Sequence, residues 1–62
     1  MQIWRLKKVM EQTGLGRSSI YKLIKEGSFP KPVPLGARAV GWVATEINAW
    51  IEDRVRERDA AK

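Results

Sequence analysis

A chain of 62 residues with a net charge of +5 has room for one domain and a modest core, and three tryptophans among many branched aliphatics argue against disorder. It holds no cysteine and no histidine, so a disulfide framework and a zinc site with soft ligands are both excluded. The longest uncharged stretch, Ala39–Thr45, is too short to span a bilayer, and MQIWRLKKVME at the N-terminus has no apolar segment of signal-peptide length, so a cytoplasmic protein is expected.

In IWRLKKVMEQTG, Leu6, Val9 and Met10 share one helical face, with Ile3 and Trp4 just before them. The spacing predicts a helix over about 6–13. Gly14 stops it, because glycine accepts the left-handed conformation a helix end often needs. Leu15 turns back toward the core, and Gly16 caps a second helix over about 17–26. Gly27 ends that one. Two short helices joined by about three residues, with a glycine and an apolar residue in the joint, form a helix-turn-helix signature.

Pro30, Pro32 and Pro34 exclude a helix in SFPKPVPLGARAVGWV. In an extended chain Pro32 and Pro34 leave one side without N–H donors, while Val33 and Leu35 can pair on the other. With Val40–Val43 as partner and Gly36–Ala39 as turn, a hairpin over about 32–43 is expected, with Arg38 at its tip. Ile47, Trp50, Ile51 and Val55 then recur at helical spacing. They predict a closing helix over about 44–59 that frays after Arg56 and covers the first two helices. The expected core is Trp4, Leu6, Val9, Met10, Leu15, Ile20, Leu23, Ile24, Phe29, Trp42, Ile47, Trp50 and Ile51, and Trp50→Ala is expected to unfold the chain. The fold class is mainly α with a small β-hairpin, a winged helix-turn-helix within one domain.

Catalytic constellations are missing. Ser18 and Ser19 have no base to activate them. GLGRS lacks the GxxxxGK[ST] spacing of a phosphate loop. Glu46 with Asp53, or Glu52 with Asp59, can share a helical side, but nothing suggests the cleft that paired carboxylates need. No enzyme and no cofactor is expected.

Charge is unevenly placed. Residues 1–42 carry eight Lys/Arg and two acids, a balance of +6, whereas residues 43–62 carry four and five, a balance of −1. Such asymmetry points to a polyanion-facing half and a scaffold half. Within the second helix, Leu23 and Ile24 fall within about 60° of Ile20 at ~100° per residue. Ser18, Lys22 and Lys25 lie opposite, Tyr21 flanks them, and Arg17 starts the helix. A helix with an apolar back and a cationic, hydrogen-bonding front fits the major groove of B-DNA. Lysine and arginine neutralise phosphate and donate to guanine. Lys31 and Arg38 add cations on the hairpin, and arginine suits a narrow minor groove.

RLKKVMEQTGLGRSSIYKLIKEGSFPKPVPLGARAVGWVATEINAWI, residues 5–51, resembles the AlpA family of small prophage regulators. The parts that carry the likeness are TGLGRSSIYKLIKEGSFPKPV, LGARAVGW and EINAWI. That family is similar to excisionases and to MerR-like winged helix-turn-helix proteins. The resemblance implies a sequence-specific double-stranded DNA-binding regulator. It puts Arg17, Ser18, Ser19, Tyr21 and Lys22 on the recognition helix, Arg38 in the wing, and Trp42 and Trp50 at buried aromatic positions. Gly16 departs from the serine that relatives often carry as helix cap. Two other roles fit the same surface: an excisionase acting with an integrase, or an adaptor or anti-repressor binding a regulatory protein. The expected contacts are Lys22 and Ser18 in the groove, Lys25 and Lys31 on phosphate, and Arg38 on the backbone or minor groove. One small domain reads a short site, so tandem or cooperative binding on DNA is expected.

Overall fold

In the computed structural model, which describes residues 1–61, Ile3–Trp4 form a short strand, β1, ahead of the first helix, α1 (Leu6–Thr13). The second helix, α2, spans Arg17–Lys25. Strands β2 (Val33–Pro34) and β3 (Val40–Val43) follow, and α3 (Ala44–Ala60) closes the fold. Three helices thus pack with a small antiparallel sheet of order β1-β3-β2, a mainly α winged helix-turn-helix arrangement.

The hairpin of the sequence reading is therefore the larger part of a three-stranded sheet. Ile3 pairs with Val43 and Trp4 with Trp42, which gives β3 a partner on each side. Ala44 N–H extends the ladder to Gln2 O at 2.9 Å. On the other side Val33 faces Gly41 and Pro34 faces Val40. Leu35 N–H donates to Ala39 O at 2.7 Å, on the side that prolines leave free to pair.

Val9, Ile20, Trp42 and Ile47 are fully buried, Phe29 nearly so, and among the described residues no polar side chain is buried with them. The other eight expected core residues pack against this cluster while partly exposed, and Val40 joins them. Two indoles brace the segment after α2. Trp42 Nε1–H donates to Pro30 O at 3.0 Å, and Trp50 Nε1–H donates to Ser28 O at 2.7 Å. Phe29 meets Trp50 edge-on at 4.9 Å between ring centres, a favoured aromatic geometry.

Helix α3 covers the first two helices as its spacing predicts: Ile47 is buried with Val9 of α1 and Ile20 of α2, and Trp50 and Ile51 pack against the same cluster. It also leans on β3 and on the 28–30 segment, where Phe29 meets Trp50 and the Trp50 indole bonds Ser28. The helix ends at Ala60, one residue past the expected bound of about 59. Arg54 with Glu57 and Arg56 with Asp53, each three residues apart, are pairs that support a helix locally. Seventeen residues give a helix about 25 Å long, and the molecule measures 45 × 24 × 19 Å. The helix outruns the core, which leaves Val55 exposed despite its place on the apolar stripe.

Gly41 sits where β1 and the hairpin converge. A Cβ there would collide with Ile3 Cγ2 and stand 3.1 Å from Leu35 Cδ1 and 3.2 Å from the Trp4 carbonyl oxygen. The Ile3 methyl can rotate away, but the carbonyl belongs to the backbone. Gly41→Val is therefore expected to destabilise the fold by about 1–3 kcal/mol through overpacking, read as a lower urea midpoint.

Candidate nucleic-acid interface

The joint between α1 and α2 is fixed by short-range bonds. Gly14 adopts φ 74° and donates its N–H to Met10 O at 2.9 Å, the left-handed helix ending that glycine permits. Thr13 Oγ1 donates to Val9 O at 2.8 Å and accepts the Leu15 N–H at 3.3 Å. Leu15 is thereby held against the core, and the direction of α2 is set before its first residue.

At its far end α2 closes with the paired bonds of a Schellman motif. Ser28 N–H reaches Leu23 O at 2.9 Å and Gly27 N–H reaches Ile24 O at 3.0 Å, with Gly27 at φ 80°. At its start Gly16 offers no side-chain cap, so the first-turn N–H groups lack a side-chain acceptor. Between these ends Ile20 is buried, and Leu23 and Ile24 are half-buried.

Arg17, Ser18, Ser19, Tyr21, Lys22 and Lys25 are all exposed on α2. Arg38 is exposed in the bend between β2 and β3. Tyr21, a residue 40% exposed, joins the helix to the wing: its ring meets Trp42 edge-on at 6.4 Å. It is half packing residue and half surface residue, which helical spacing alone does not reveal. Lys31 is exposed but stands apart in character. It lines an open depression of about 690 Å³ together with Glu46, Asp53 and Arg54. Glu46 and Asp53 thus share a groove where the sequence suggested none. Both are exposed in it, far from the enclosed setting that acid–base chemistry on paired carboxylates uses.

Ion pairing divides the molecule sharply. Among the described residues the four ion pairs are Arg54–Glu57, Arg56–Glu52, Arg56–Asp53 and Arg58–Asp59, all on α3. Arg17, Lys22, Lys25, Lys31 and Arg38 have none. Sequence alone gives the net charge of each part; the structure adds that the cations of the first part stay unneutralised.

A buried-backed helix after a tight turn, followed by a hairpin with an exposed arginine at its tip, defines a winged helix-turn-helix protein. The match is specific enough to give the family. Residues 2–55 fit the family described as prophage CP4-57 regulatory protein (AlpA), and the chain belongs to that family of regulatory, non-enzymatic proteins. It is 34% identical to the DNA-binding transcriptional activator AlpA of Escherichia coli K12, over 90% of this chain and 89% of that protein. It is 44% identical to the uncharacterised protein ORF88 of Enterobacteria phage P4 over 54 residues, 87% of this chain. The chain spans 61% of the length of that phage relative. No helix among the described residues is long and apolar enough to cross a membrane.

Proposed function

We propose that this protein is a sequence-specific double-stranded DNA-binding regulator of transcription, with α2 in the major groove and the wing on the adjacent backbone or minor groove. The observation that carries the reading is the row of exposed, unpaired cations on α2 and the wing, set against an α3 whose arginines are all paired. Unpaired cations on a rigid helix are what a phosphate-lined groove requires. The E. coli relative, a DNA-binding transcriptional activator by name, supports the class and favours activation. Such a regulator works at the nucleoid, in the cytoplasm.

Roles follow from position. Lys22 and Ser18, opposite the buried Ile20, reach for base edges. Arg17, Ser19 and Tyr21 flank them, and Lys25 and Lys31 hold phosphates. Arg38 contacts the backbone or minor groove. No cofactor enters this scheme.

The test is selection of bound duplexes from a random pool. One enriched motif, or spaced repeats of it, is the expected result. A pool that enriches nothing at low salt overturns the proposal. Binding to an integrase or another regulatory protein, with no duplex preference, would assign the same surface to an adaptor.

A further inference from the structure

We propose that the DNA-facing surface extends onto α1, where Lys7 and Lys8 hold backbone phosphates; this rests on the DNA-binding reading and adds contacts to the same face. Lys7 and Arg17 line one depression, floored by Leu6, Met10 and Leu15, where α1 passes the start of α2. Glu11 lines it too, so the two cations outnumber the acid. Lys8 connects to the α2 surface by another route. Its Nζ lies 5.6 Å from the centre of the Trp4 ring. Trp4 pairs across the sheet with Trp42, and Trp42 meets Tyr21. Lys8 therefore lies over the strand β1 that pairs with β3, the strand whose Trp42 packs against the recognition helix.

Both lysines are exposed, and among the described residues neither forms an ion pair. On α3 the chain matches its arginines with nearby acids; on α1 a single acid, Glu11, bonds neither lysine. The partner that fits scattered, open cations bordering a groove-sized helix is a polymer with regularly spaced anions. Duplex DNA supplies one charge per about 1.7 Å of axis.

The experiment measures affinity of the full chain for a selected duplex and for a scrambled one across a salt series. Lys7→Gln and Lys8→Gln are each expected to lower the slope of log K against log salt by about 0.9. Each should weaken both duplexes alike, about 5-fold at physiological salt by the same relation. Lys8→Arg, which keeps the charge over Trp4, should restore the slope. Arg58→Gln, on an ion-paired arginine of α3, should leave it unchanged. Thermal melts of each variant separate lost binding from lost folding. Unchanged slopes in the folded Lys7 and Lys8 variants, while Lys22→Ala still weakens binding, overturn the proposal and leave the DNA-binding reading standing. If Lys22→Ala is also without effect, the DNA-binding reading itself fails.

Discussion

Trp42→Ala is expected to leave the chain largely unfolded at room temperature. The side chain is fully buried at the centre of the three-stranded sheet, and truncating such a residue costs about 3–5 kcal/mol. A chain of this size has roughly 3–9 kcal/mol of stability in total. The loss also breaks the bond to Pro30 O and removes the ring that Tyr21 rests on. Trp42→Phe keeps a ring and should fall between wild type and alanine. Urea denaturation followed by circular dichroism gives the ranking. Trp50 is only partly buried, so Trp50→Ala should cost less than Trp42→Ala. The reverse order of midpoints would show Trp42 to be replaceable.

The second large effect is on binding. Lys22→Ala with Arg38→Ala is expected to weaken a selected duplex by about 2–4 kcal/mol if the contacts add, about 1–3 from the base contact and about 1 from the backbone contact. Lys22→Ala alone should also blur preference at one base position, as loss of a base contact does. Neither side chain is buried or hydrogen-bonded within the protein, so melting temperatures should hold. Tyr21 requires a gentler change, because Tyr21→Ala would disturb its contact with Trp42. Tyr21→Phe isolates the hydroxyl. Fluorescence anisotropy with labelled duplexes reads all three, and wild-type affinity in the double variant would show the assigned face to be wrong.

Most of the core was legible because helical spacing and apolar identity agreed. Val9, Ile20 and Ile47 lie on clean stripes, and all three are fully buried. Strand β1 was not legible. It has only two residues, and its partner lies near the end of the sheet sequence, as Ile3 pairs with Val43. Two residues show no alternation to read. Gly41 was the available signal: a glycine inside a strand often marks the close approach of another backbone, and here the Trp4 carbonyl is that neighbour. The extent of α3 was legible to within a residue, about 44–59 against Ala44–Ala60, although apolar spacing ends at Val55 and ion pairs carry no such period. As for the interface, composition placed the cations, while pairing across α3 and the double role of Tyr21 depend on distances that a linear sequence does not hold.

Ser28 and Pro30 lie between α2 and the wing, and each has its carbonyl gripped by an indole. A connector tied at two points resists bending, so α2 and the wing are expected to move together as one stiff calliper. On the proposed mode of binding, the fit between calliper and duplex is then reached by the nucleic acid yielding. Sites containing easily kinked pyrimidine–purine steps would be favoured even at positions no side chain touches.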